Sequence, residues 1–110
     1  MIQDTLNQIE RRVAEAEAIK PEARQELADL VAKLRQEVAQ LAETHGDDAR
    51  SITGFAHISA HEATRDTRNP RLLQIALDGL NRSVAGFEQS HPKLVQVVNR
   101  ICETLSGLGV

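Results

Sequence analysis

The chain has 110 residues and a mass of 12.1 kDa, which suits one domain. Of its residues 41% are apolar, but 14 are Ala, and Trp and Tyr are absent with Phe55 and Phe87 as the only aromatics. That excludes aromatic platforms for single-stranded nucleic acid and aromatic cages for cations, while one Cys excludes an internal disulfide and a cysteine-built zinc site. The net charge of −3 divides into −4 over residues 1–50 and +1 over residues 51–110, so neither half carries a nucleic-acid binder's basic footprint. No apolar run reaches the length of a membrane span. The start, Met1-Ile2-Gln3-Asp4, lacks the basic-then-apolar order of a signal peptide, so a cytoplasmic protein is expected.

Helical spacing governs the whole sequence. Ile2, Leu6, Ile9, Val13 and Ala16 recur at steps of four and three and predict a helix over 2–18. Pro21 fits a helix's first turn and opens a second helix over 21–44, with Glu22 at the positive end of its dipole. Its stripe is Leu27, Leu30, Val31, Leu34, Val38 and Leu41. Gly46 reads as a helix stop, and Asp47 or Asp48 as the cap of a third helix over 49–65. This helix reads as the weakest and most mobile. Gly54 interrupts it, and its apolar face is only Ile52, Phe55, Ala56, Ile58 and Ala63. Phe55 therefore anchors it either on the bundle or on a partner. Residues 65–69 are polar and form a loop.

Asn69-Pro70 supplies a cap and first residue for a fourth helix over 70–88, with the stripe Leu73, Ala76, Leu77, Leu80, Val84 and Phe87. His91-Pro92, with Ser90 as a competing cap, opens a fifth over 92–106, with Leu94, Val98, Ile101, Leu105 and Leu108 in line. Ser106-Gly107-Leu108 suits a glycine-terminated end, and the end at Val110 is expected to pack down. Short connections make neighbouring helices antiparallel. The expected fold is thus all-α: a single helical domain over 1–110, made of a hairpin (2–44), a middle helix and loop (47–69) and a second hairpin (70–110). The stripes suit coiled-coil-like packing.

Two patterns resemble a known family. Phe87-Glu88-Gln89-Ser90-His91-Pro92-Lys93-Leu94, with Leu105-Ser106-Gly107-Leu108-Gly109-Val110, is similar to small bacterial proteins grouped as domain of unknown function 4404. The opening hairpin around Pro21-Glu22-Ala23-Arg24-Gln25-Glu26-Leu27 is similar too, whereas the stretch from about Asp47 to Thr67 looks divergent. The resemblance implies a short helical fold and supplies no catalytic residue.

No catalytic residue stands out, and Ser90-His91 reads as a helix start rather than a nucleophile and base, with no acid to complete it. No cofactor is implied. His57 and His61 share a helix face at metal-chelating spacing, with Glu62, His45, Asp47 and Asp48 as further ligands. Against that stands the reading of solvated histidines, and no metal site is expected. Arg65, Arg68 and Arg71 could hold a phosphate-bearing ligand or nucleic acid at the start of the fourth helix, or pair locally with Asp66 or Asp78 in a solvated loop. Cys102 lies among apolar neighbours near a helix C-terminus, where a thiol stays inert. The expected function is a small helical interaction or regulatory protein, not an enzyme. Its partner is expected to be itself, as a homodimer, or another protein, with no membrane span and with nucleic acid disfavoured. The second helix is longer than its neighbours, and the middle helix reads as too thin to cover it. Its stripe, Leu27, Leu30, Val31, Leu34, Val38 and Leu41, is therefore the expected interface.

Overall fold

All three prolines begin helices, at the first position where the missing N–H costs nothing. The structure is a computed structural model describing residues 1–108, so the expected packing-down of Gly109 and Val110 lies outside the described residues. Five helices follow in chain order: α1 (Ile2–Glu15), α2 (Pro21–Ala42), α3 (Gly46–Thr64), α4 (Pro70–Ser83) and α5 (Pro92–Gly107). No strand occurs among the described residues. The all-α expectation thus holds.

Three boundaries differ from the sequence expectation by three residues or more, each for a local reason. The first helix ends at Glu15 rather than 18, because Ala16 turns to extended backbone (ψ 98°). Gly46 does not stop a helix but starts α3. His45 is its N-cap, so Asp47 and Asp48 sit in the first turn, facing the positive dipole end. The fourth helix stops at Ser83 rather than 88. Gly86 follows with φ +98°, a left-handed conformation open to glycine, and the Glu88 carboxylate accepts from its N–H at 2.8 Å. Phe87 therefore sits beyond α4, half-buried against the core rather than on the helix stripe. The Asn69 cap forms as read: its side-chain oxygen accepts from the N–H groups of Arg71 and Leu72, both at 3.1 Å.

The middle helix is where sequence and structure part. α3 is not thinly buried. It packs against α1, α2, α4 and α5, whereas α2 and α4 do not meet. Ala49, Ile52, Ala56, Ala60 and Ala63 on it are buried, together with Thr53, Ser59 and Glu62. A face of small side chains buries little area per residue, yet it lets several helices approach one backbone closely. The Thr53 hydroxyl is satisfied within the helix by the Ala49 carbonyl at 2.8 Å. Around Ala56 and Ala60, side chains from α1, α2 and α5 (Val13, Leu27, Leu34 and Ile101 among them) leave a void of only about 10 Å³.

This packing overturns the assignment of the α2 stripe to a dimer interface. Leu27, Leu30, Val31, Leu34, Val38 and Leu41 are all buried inside the single chain, with Leu34, Val38 and Leu41 at 0% exposure. α3 and α5, not α1 alone, cover the length of α2. Polar clips hold the outer seams. The Arg35 guanidinium of α2 bonds Gln3, Asn7 and Glu10, one face of α1, with 2.8 Å to Asn7 Oδ1 and 2.9 Å to Glu10 Oε1. Arg100 of α5 reaches Glu26 of α2 at 2.9 Å.

The tight, small-residue face of α3 makes two opposite predictions for chemical denaturation. Ala60→Leu inserts three carbons into a nearly filled space and should cost about 1–3 kcal/mol. Ser59→Ala removes a fully buried hydroxyl that has no hydrogen-bond partner and should stabilise the fold by about 1 kcal/mol.

Candidate functional site

The sequence candidates disperse in the fold. His57 is half-buried and His61 exposed on α3. His61 Nε2 lies 3.8 Å from Glu62 Oε2, whose carboxylate is taken by Arg65 at 2.9 Å. His45 is at the other end of the helix, about 18 Å from His57 along the axis at 1.5 Å per residue. No group of three or more His, Cys, Asp or Glu that could hold a metal ion occurs among the described residues.

The three arginines do not converge on a phosphate either. Arg65 pairs with Glu62. Arg68 is spent on the backbone: its guanidinium donates to the Leu108 carbonyl at 2.6 Å and the Ala63 carbonyl at 2.9 Å. It thus ties the C-terminal ends of α3 and α5 together, where cations are favoured. Arg71 alone stays exposed on α4. The groove beside Arg65 adds Arg11 and Arg12 from α1, but Glu15, Glu17 and Asp66 line it too, so its charges balance.

Ser90 and His91 do point at one another. Ser90 Oγ is 2.9 Å from His91 Nδ1. The same contact, Thr44 Oγ1 to His45 Nδ1 at 2.7 Å, recurs at the start of α3. Both histidines are N-caps with nearly the same backbone, φ −134° and ψ 63° at His45 and φ −137° and ψ 62° at His91. The contact is therefore a property of this turn. The two turns sit side by side, with Phe87 edge-on to both rings at centroid distances of 5.5 and 5.6 Å. They clamp Phe87 over one end of the bundle.

Cys102 is buried, with Sγ 3.9 Å from the Leu77 carbonyl. Burial, with smaller contributions from the charges of Asp78 and Glu103, pushes its thiol up to about 11. Because the folded state holds this proton more tightly than the unfolded state, the stability it contributes is complete below about pH 9. That contribution is lost as pH rises toward 11.

What remains is a face of which the sequence gives a role to Phe55 alone, as an anchor on the bundle or on a partner. The exposed large apolar side chains among the described residues are Met1, Phe55, Ile58, Leu72 and Ile75, and all but Met1 lie on α3 or α4. Phe55 and Ile58 fall at i and i+3 on α3. Leu72, Ile75 and Gly79 fall at i, i+3 and i+7 on α4, so each set shares a helix face. The five-residue loop over 65–69 returns the chain, and the Phe55 ring lies on Gly79, so closely that a Cβ built there would be 2.4 Å from it. That contact sets the register of the two helices and joins their apolar strips into one. Ile75 is 57% and Ile58 48% exposed, which for a branched aliphatic side chain is left-over surface rather than core. The signal was present in the sequence: Leu72 and Ile75 widen the apolar arc of α4 to one side of the stripe that packs inward.

Two outcomes check these assignments. At pH 8, Cys102 should react with a thiol reagent at least tenfold more slowly in the folded chain than in denaturant, because the thiolate is suppressed and shielded. Gly79→Ala should gain close to 1 kcal/mol of helix propensity only in a Phe55→Ala background. In the presence of Phe55 the new methyl displaces the ring and the gain should vanish, a coupling read by a double-mutant cycle.

No curated protein and no solved structure matches the chain significantly. A family model, described as Domain of unknown function (DUF4404), matches residues 55–110. The match begins at Phe55, inside the stretch that read as divergent, and takes in the second half of α3 together with α4 and α5. It does not extend over the opening hairpin. The apolar strip thus falls wholly within the matched region, and the chain belongs to the DUF4404 family.

Proposed function

We propose that this chain is a small, non-catalytic helical interaction protein that works by presenting the α3–α4 face to a protein surface. One observation carries the reading: among the described residues, Phe55, Ile58, Leu72 and Ile75 are gathered on adjoining strips of two packed helices while the α2 stripe is buried in the core. Contiguous exposed apolar surface on a small domain usually marks a docking site. Helices with apolar anchors at i and i+3 are a common way to dock. The expectation of an interaction protein is kept, and its surface moves from α2 to α3 and α4. The cationic groups near the strip favour this reading over a phosphate site, since Arg65 and Arg68 are engaged within the chain.

The test is site-specific photocrosslinking in the cells of origin. A photoreactive residue at position 75 should give adducts of discrete mass. The same residue at the exposed position 33 on α2 should give few. Excess unlabelled wild-type chain should compete the adducts away, and an Ile58→Asp/Ile75→Asp chain should not. Equal labelling at both positions, or competition by the double variant, would contradict the reading.

A further inference from the structure

The charges beside the strip say what sits on it. Arg71, Ile75 and Asp78 are spaced i, i+4 and i+7 on α4, so the two charges flank Ile75 along one edge of the apolar strip. They lie about 10 Å apart along the axis and cannot pair within one helix. Arg71 has no ion-pair partner among the described residues, and Asp78 accepts a hydrogen bond from Gln74 at 3.0 Å. Both are exposed.

Resting on the reading of this face as an interaction surface, we infer that its occupant is a second copy of the chain, with the two α4 helices antiparallel about a twofold axis beside Ile75. That arrangement places Arg71 of each copy opposite Asp78 of the other. Ile75 meets Ile75, and Leu72 falls opposite Gly79, where the Phe55 ring fills the space a Cβ would take. A parallel pairing would instead set Arg71 against Arg71 and Asp78 against Asp78. Only the antiparallel twofold satisfies both charges at once, and such isologous contacts dominate homodimers. The face is small. α4 is about 21 Å long at 1.5 Å per residue, and two helices side by side span about 20 Å. This is below the about 800 Å² per partner of a standard interface, so dissociation constants in the micromolar range are expected.

Sedimentation equilibrium from about 1 to 200 µM tests this, with circular dichroism confirming that each variant is folded. Wild type should pass from monomer to dimer across that range, and Ile75→Asp, at an exposed position, should weaken association at least tenfold. The decisive arm is the charge exchange. Arg71→Asp alone and Asp78→Arg alone each set like charges face to face twice and should each weaken the dimer about tenfold. Combining them should restore it to within about threefold of wild type. A wild type that stays monomeric at 200 µM, or single charge variants that the double variant does not rescue, would overturn the second copy as occupant. A monomer that still gave competed adducts at position 75 would leave the interaction reading standing, whereas loss of both results would remove both.

Discussion

The close approach that α3 permits is the constraint on which the structure depends. Ala49, Ala56, Ser59, Ala60 and Ala63 present almost no side chain, so α3 can touch all four other helices. The larger side chains that fill the space come from its neighbours: Leu27, Leu34, Leu80, Leu94 and Leu105 among them are essentially fully buried. This resolves how a chain with only 31 apolar residues larger than Ala builds a core. A central small-faced helix replaces the bulk that a bundle with an open middle would need. Dispersion contacts between closely packed backbones then contribute alongside burial of leucines and valines.

The same geometry explains which large apolar side chains are left exposed. A helix that spends its small face inward turns Phe55 and Ile58 outward, and α4, packed beside it, turns Leu72 and Ile75 the same way. Four arginines are taken up in holding the fold. Arg24 bonds the Ile19 carbonyl in the α1–α2 connection, Arg35 binds α2 to α1, Arg68 joins the ends of α3 and α5, and Arg100 binds α5 to α2. Arg71 stands apart from these structural roles.

Much of the fold was legible in the sequence because helix punctuation is local chemistry. Pro21, Pro70 and Pro92 open helices, Asn69 caps as its side chain dictates, and the leucine and valine stripes of α1, α2, α4 and α5 are the buried faces. The importance of α3 was not legible, because a pattern search weights side-chain bulk and an alanine face scores as thin. The role of α2 followed that error: judging α3 too thin to cover Leu34 and Val38 left them for a partner. The candidate site was missed for a related reason. Leu72 and Ile75 lie beside the stripe of Leu73, Ala76, Leu77 and Leu80 that the spacing gives, but spacing does not show that no neighbouring helix covers them. His57 and His61, and Arg65 and Arg68, were read by spacing alone, and spacing does not reveal that Glu62 and two helix-end carbonyls claim the arginines.

Native-state hydrogen exchange on α3 tests the central claim most directly. If α3 is the helix around which the others assemble, the amides of Ile52, Ala56, Ala60 and Ala63 exchange only through global unfolding, with the same opening free energy as those of Leu34 and Val98. If those α3 amides exchange instead through a low-energy local opening while α2 and α5 stay protected, the middle helix is an appendage and cannot be what organises the bundle.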